Sequence, residues 1–524
     1  MAVGQVRLAI PALAGASFRA DQDLRVAEVR GAFAKGDAAL ATRAWVDANC
    51  NLVCIELCNK GSVPLTISTN IIKGCGSPLP PVSIQDTGSS FLYDPDASVP
   101  GSRKLGLATR IIGGSAARSF TLERGEAATL VTAILTDLEV PGKDPLGEAR
   151  ALVDGITPDK LATLTAAHRQ WWNDFWSRSF VEIPDKVIEQ SWYSSWYIMA
   201  SCSRAGKVAP GLWGNWITTD NPGWHGDFHL NYNFQAPFYG LYSSNHVETT
   251  LPFYDAMNQS IPRGQRIARE RGWKGIHLPV SIGPWGMCPE GDAADWGQRS
   301  NTAYAALLFI WHWQHTRDLG WLRDSGYAFP RATAEFWENY LKLENGRYVI
   351  TNDSIHEGSG PDMNALLSLG LVRTLFANLI PMSEALNVDG DRRGMYEHHA
   401  LPNKLLNFGG GGIENVSPLL AVTEMLLQSH DGVLRVFPCW PAGLDARFGT
   451  LRAVGAFLVS AELKAGEICG VRILSERGNA CTIVNPWPER SMRVARSSGT
   501  TQTLQGRRFT LDTTAGETLD LRPE

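Results

Sequence analysis

The sequence predicts a multidomain chain, with an antiparallel β-sandwich at the N-terminus, an all-helical middle domain and a small β domain at the C-terminus. Three observations predict it. Up to about residue 150 apolar and polar residues alternate in short segments, then the apolar spacing lengthens to a helical period, and after residue 432 the alternation returns. Alternation marks strands because successive side chains leave a strand on opposite faces, whereas a 3.6-residue spacing gathers apolar groups on one side of a helix. The boundaries that follow are 1–155, 156–432 and 433–524.

In the first region ATRAWVDANCNLVCIELCNKG, PLTISTN and RSFTLERGEAATLVTAILTD alternate between Gly, Asn and Pro punctuation, the pattern of an antiparallel sandwich. Cys50, Cys54 and Cys58 share one strand face. With no CxxC pair among the nine cysteines and no histidine near these three, they read as small buried hydrophobes, not as metal ligands or a disulfide framework. The helical region opens at TPDKLATLTAAHRQWWNDFWSRSF, where Thr-Pro is a helix start. Further helices are expected at 185–204, 230–243, 247–270, 299–317, 329–343, 363–386 and 416–430. Long Gly/Pro/Trp loops separate them: APGLWGNWITTDNPGWHGD, LPVSIGPWGMCPEGDAADWGQ, ITNDSIHEGSGPD and LLNFGGGGIEN. Loops of this length in a compact domain are usually functional. GVLRVFPCW, GAFLVSAELKAGEICGVRILSE and CTIVNPWP then restore the strand pattern.

Composition narrows the function. Only 19% of the 524 residues are charged, the formal net charge is −5 and no basic run occurs, so a nucleic-acid partner is not expected. No apolar run reaches the roughly 18 residues of a membrane span. MAVGQVRLAIPALAG lacks a convincing cleavage site, so no signal peptide is expected. The chain as it stands reads as cytoplasmic, and as secreted if its N-terminus is truncated. Eighteen tryptophans, twelve tyrosines and 51 glycines suit a pocket for sugars, though most of the aromatics equally suit a large core.

No GxxxxGK[ST] loop, HExxH helix or GxSxG elbow is present, and paired carboxylates remain. Glycoside hydrolysis needs a protonated carboxyl for the leaving oxygen and a second polar system for water. Glu357 in NDSIHEGSG, Glu414 in GGGGIENVS and Asp227 in WHGDFHLN lie in loops where small residues admit a ligand. Each could equally be a loop or capping carboxylate. HLNYNFQ adds the amides Asn231, Asn233 and Gln235, which need a structural partner or a ligand, since a buried unpaired amide costs on the order of 1–3 kcal/mol. Trp213, Trp216, Trp224 and Trp285 are candidate sugar platforms.

GLWGNW, HLNYNFQAPFYG, HTRDLGWLRDSGYAFPRATAEFWENYLKLENGRYVI, IHEGSG and EMLLQSHDGVLRVFPCWP resemble glycoside hydrolase family 95, the 1,2-α-L-fucosidase family, with breaks from about residue 160 to 490. The resemblance implies a six-hairpin, (α/α)6-toroid helical domain between the β domains and an inverting, metal-free exo-hydrolase without cofactors. It places the N-x-N pair that holds the attacking water on Asn231 and Asn233, the general acid on Glu357 and the activating carboxylate on Glu414. The remaining substrate-binding set is Trp213, Trp216, Trp224, Asp227, His229, Gln235, Trp285, His356, Asn415 and His430. Glu357 and Glu414 are 57 positions apart (414 − 357 = 57), a shorter stretch than the family carries, so an incomplete toroid is expected. The expected partner is an oligosaccharide or glycoside. A binding protein with impaired catalysis and a polysaccharide lyase are the alternatives.

Overall fold

The structure is a computed structural model that describes residues 4–73, 83–86, 90–94, 103–113, 119–217, 222–393 and 420–524. The chain divides into two compact units, Met1–Ser177 with Ile217–Gly223, and Arg178–Trp216 with Trp224–Glu524.

In the first unit the strands are β1 (Gly4–Ala9), β2 (Ser17–Asp23), β3 (Glu28–Lys35), β4 (Ala38–Val46), β5 (Leu52–Asn59), β6 (Leu65–Lys73), β7 (Ser83–Asp86), β8 (Ser90–Asp94), β9 (Leu105–Ile112), β10 (Ser119–Leu122) and β11 (Ala127–Thr136). They form an eight-stranded sheet in the order β2-β3-β4-β5-β11-β9-β8-β7 and a three-stranded sheet β1-β6-β10. Leu40, Leu57 and Ala128 of the large sheet pack with Ile67, Phe120 and Leu122 of the small one, which is the expected sandwich core. The other face of the large sheet is also covered. Trp45, Leu52, Cys54 and Val131 pack there against Ala149 and Val153 of α1 (Pro145–Asp154) and Leu161 and Leu164 of α2 (Pro158–Ser177). Six consecutive buried residues, Ala128–Ala133, run along β11, and such a run needs cover on both faces. His168 fixes α2 to the sheet region, its Nδ1 accepting from the Ala48 amide at 3.1 Å and its Nε2 lying 2.8 Å from the Val26 carbonyl.

The second unit carries β12 (Phe180–Glu182) and the helices α3 (Lys186–Cys202), α4 (Tyr239–Ser243), α5 (Leu251–Glu270), α6 (Asn301–Thr316), α7 (Leu319–Trp321), α8 (Ala328–Tyr340), α9 (Leu366–Leu386) and α10 (Leu420–Leu426). The hairpin β13 (Lys342–Glu344) and β14 (Arg347–Val349) follows α8. Asp185 caps α3 by accepting from the amides of Val187 and Ile188. Helix α6 packs on α8 and α9, with Phe309 stacked on Phe329 at 5.2 Å. Helix α9 is long and apolar enough to cross a membrane by length and composition, which the buried core helix of a globular domain also achieves, and it packs on α6 and α8.

Two expected helices are shorter. Residues 230–235 are turns, and only Tyr239–Ser243 of the 230–243 segment is α-helical. The amide of Phe234 bonds the His229 carbonyl and that of Gln235 bonds Tyr232, closing turns before Pro237. The 416–430 segment is described from Leu420, and its helix stops at Leu426, where Leu427–Gln428 forms β15.

The remaining strands are β16 (Val433–Val436), β17 (Ala446–Ala453), β18 (Phe457–Lys464), β19 (Glu467–Ser475), β20 (Cys481–Val484), β21 (Met492–Arg496), β22 (Thr501–Leu504), β23 (Arg508–Leu511) and β24 (Glu517–Pro523). They form a seven-stranded sheet β12-β17-β18-β19-β24-β21-β22 and a four-stranded sheet β15-β16-β20-β23. Phe180–Glu182 thus joins a sheet whose other strands lie more than two hundred positions later.

Candidate active site

Three loop segments are zipped together by backbone bonds. The amides of Phe228 and Leu230 donate to the carbonyls of Ile282 and Val280 at 2.7 and 2.8 Å, and the Val280 amide donates to Ala294 at 2.9 Å. Phe228 and Leu230 are buried, and Phe228 stacks on Phe234 at 4.2 Å. Asn231 and Asn233 are half-buried between these apolar anchors. The N-x-N spacing therefore sits on a stretch whose intervening residues pin it to the core. Gln235 is fully buried and its Nε2 donates to the Leu230 carbonyl, stapling the turn that presents the two asparagines.

The loop after β14 is braced from within. Asp353 and Asp362 pair through their backbones, the Ile350 amide donates to Asn364 Oδ1 at 2.9 Å, and Gly360 donates to Ser354 Oγ at 3.0 Å. The Gly358 amide reaches the Trp296 carbonyl at 2.9 Å and the Arg299 amide reaches Asp353 Oδ1 at 2.9 Å, so this loop is bonded to the 295–299 segment.

These contacts bring Glu357 to Asn231. Asn231 Nδ2 donates to Glu357 Oε1 at 2.7 Å and lies 3.2 Å from Gln298 Oε1. His229 Nε2 is 3.8 Å from the same Glu357 oxygen, while its Nδ1 meets the buried Asp227 carboxylate at 3.1 Å. Burial disfavours a charged His229, but the hydrogen bond and charge of Asp227, with the charges of Glu357 and Glu290, outweigh it and raise its pKa above the ordinary histidine value. Trp296 lies 5.6 Å and Trp224 6.2 Å from the His229 ring. Trp224, His225, His229, Trp285 and Trp296 all have φ between 46 and 58°, a left-handed backbone costing on the order of 1–2 kcal/mol per non-glycine residue. Such outliers cluster at ligand sites, where surrounding structure holds them in place.

One buried carboxylate holds the 295–299 segment. Asp295 Oδ2 accepts from His277 Nε2 at 2.9 Å, from Arg299 at 2.7 Å and from Arg271, and its Oδ1 accepts from the Gly297 amide at 3.0 Å. Burial opposes its charge, but these donors hold its pKa well below the usual carboxylate range. Burial leaves His277 with a lowered pKa despite Asp295.

The other expected residues fall as follows. Trp224 and Trp216 are 56% and 49% exposed, and the Leu212–Asp227 backbone bond of 2.9 Å ties the Trp213 and Trp216 turn to Asp227. Trp285 is half-buried in the turn just after Ile282. His356 is exposed and its Nδ1 accepts from the Glu357 amide at 2.8 Å, so it shapes the loop tip. His430 is exposed in the turn between β15 and β16. Glu414 and Asn415 lie outside the described residues. Gln298, Trp296 and Asp295 were not among the expected site residues. Their signal was the Gly-rich loop DAADWGQ, already marked as functional in type but without a partner to single them out. Among the described residues no group of three His, Cys, Asp or Glu side chains is placed to hold a metal ion.

Glu357, Asn231 and His229 thus meet at loops of the second unit, beside the half-exposed Trp224, a polar-aromatic site open to a ligand. Residues 178–407 match the Glycosyl hydrolase family 95 catalytic domain. A probable alpha-fucosidase A of Aspergillus niger is 29% identical over 152 residues, 28% of this chain and 19% of that protein. A kojibiose hydrolase of Mucilaginibacter mallensis is 23% identical over 306 residues, 54% of this chain and 44% of that protein. The chain thus spans less than half the length of these curated relatives. A provisionally named kojibiose phosphorylase from human microbiome has the same fold, with a TM-score of 0.66 at 10% identity over 97% of this chain and 88% of that one.

Proposed function

We propose that the chain is an inverting, exo-acting O-glycoside hydrolase of the α-L-fucosidase-like type, working on a helical domain of the (α/α)6 kind. The carrying observation is the 2.7 Å contact of Asn231 Nδ2 with Glu357 Oε1, which joins two motifs 126 positions apart. Glu357 is the general acid. Asn231 and Asn233 orient the attacking water, and Glu414 is the carboxylate that takes its proton.

The contact is compatible with an acid role: Glu357 Oε1 accepts the Asn231 N–H, and a proton carried on Oε2 is the one that would go to the leaving oxygen. Inversion needs a gap of about 6.5–9.5 Å between the acid Glu357 and the base Glu414, room for the sugar and its attacking water. Glu357 is 41% exposed, which leaves its carboxyl open to a leaving group from outside. Trp216 and Trp224 are proposed to stack on the sugar or aglycone, and His229 and Asp227 to bind hydroxyls.

Glu357→Gln should slow release from an aryl α-L-fucoside with a poor leaving group by roughly 10²–10⁴-fold while the fold is retained. Product NMR would report the anomeric outcome. Unchanged turnover in that variant would remove Glu357 from the acid role. The larger coverage by a kojibiose hydrolase favours a second reading of the sugar, an α-linked glucoside. Kojibiose and 2′-fucosyllactose compared side by side decide between them.

A further inference from the structure

The C-terminal sheets carry a cleft of about 330 Å³ outside the stretch that matches the catalytic domain, lined by Phe437, Trp440, Trp487, Glu467, Glu489 and Arg490 among others. Its size is at the small end of ligand pockets, roughly 300–1,000 Å³. Trp440 donates its indole N–H to the Leu444 carbonyl at 3.0 Å, and Trp487 donates to Ile468 at 2.7 Å. Both indole N–H groups are therefore used within the protein and both rings are held in place; half-buried Trp440 is the ring that offers a fixed carbon surface to a ligand, and Trp487, 7% exposed, backs it.

The wall is equally fixed. Asn485 donates to the Arg490 and Gly506 carbonyls at 3.0 Å each and accepts the Trp487 amide at 3.0 Å, closing the PWPER turn on which Trp487, Glu489 and Arg490 stand. Phe437 packs edge-on to Phe448 at 5.4 Å. The rim differs in character. Glu467, Glu489 and Arg490 are exposed, two planar carboxylates against one planar guanidinium.

We propose that this cleft is a binding site for an uncharged oligosaccharide, separate from the site at Glu357. Pyranose rings present an apolar C–H face and a girdle of vicinal hydroxyls. The fixed Trp440 ring matches the face, and carboxylate and guanidinium forks match neighbouring hydroxyl pairs. The net negative rim disfavours uronic or sulfated chains. The choice of a glycan as ligand rests on the glycosidase reading; the cleft geometry does not.

The test is calorimetric titration of the full chain carrying Glu357→Gln with maltoheptaose, xyloglucan oligosaccharide and 2′-fucosyllactose, with and without Trp440→Ala. The expected result is binding of at least one of these glycans that Trp440→Ala weakens about tenfold and Trp440→Phe largely retains. Glu489→Ala, at an exposed rim position, should weaken the same binding and serves if Trp440→Ala does not fold. In the otherwise unaltered chain, Trp440→Ala should leave turnover of a small aryl glycoside unchanged. Three outcomes overturn the proposal: no glycan of the panel binding, binding indifferent to both Trp440 and Glu489, or Trp440-dependent binding of decaproline alone. Trp440-dependent glycan binding in a chain with no hydrolytic activity would retain this site and sink the hydrolase reading instead.

Discussion

Asn231 donates its side-chain amide to Glu357 at 2.7 Å, on the same carboxylate oxygen that His229 Nε2 approaches at 3.8 Å. Exchange of this amide for a carboxylate tests the contact. In Asn231→Asp two carboxyl groups would share the position, and one proton would be held between them to higher pH. If Glu357 is the acid, the alkaline limb of the kcat/KM profile should move up by about one unit or more while the maximum falls. A limb that stays in place would separate Asn231 from the acid.

His229 should follow Asp227. With the pair intact, the folded pKa lies above the ordinary value, so folding binds a proton more tightly than unfolding does. The stability this contributes is fully present below the unfolded pKa of about 6.5 and is lost as pH rises through the folded value. Asp227→Asn removes the raising partner and leaves burial to dominate. Nitrogen-15 histidine NMR should find one imidazole titrating lower in the variant, and the low-pH stability gain should disappear from urea denaturation. An unaltered set of histidine titrations would contradict the pairing.

Asp295 acts as a positioning residue through the segment that carries Trp296 and Gln298. Asp295→Asn should destabilise the fold by about 3 kcal/mol at neutral pH, because it leaves Arg271 and Arg299 without their shared carboxylate. The sign with pH is the reverse of His229. A depressed carboxylate contributes stability above its unfolded pKa of about 3.9 and loses it as pH falls through the folded value, so wild type and variant should converge in strong acid. A fold-intact variant should also raise KM for the glycoside. Equal stability at pH 7 would remove Asp295 from this role.

Glu424 on α10 has its pKa pushed up to about 7 by burial. Its folded state holds the proton more tightly, so stability is fullest below the ordinary glutamate value and declines as pH rises through about 7. Glu424→Gln should therefore gain on wild type at pH 8 relative to pH 5 in thermal melts. A difference independent of pH would contradict the burial of this carboxyl.

Much of the framework was legible in the chain itself. The alternation in NLVCIELCN appears as β5, and the helical spacing at 299–317 and 363–386 appears as α6 and α9 within a few residues. Residues 230–243 misled because their apolar spacing is helix-like, while His229 adopts a left-handed backbone and the turns that follow use Gln235 as a staple. Glu357 and Asn231 could be singled out as types in loops, and their contact could not, since nothing local couples positions 126 apart. Gln298 was missed for the same reason: an amide in a glycine-rich loop gains meaning only from the group it faces.

By itself, then, the sequence determined the order of strand and helix regions, the chemical inventory of the loops and the amide pair at Asn231 and Asn233, because periodicity and turn chemistry act over a few residues. Tertiary structure alone decided that Glu357 faces Asn231, that Asp227 meets the His229 ring and that Asp295 anchors the loop beneath Gln298. Those are hydrogen bonds between groups set by the packing of loops, through Phe228 to Ile282 and Gly358 to Trp296, and packing is a property of the whole folded unit.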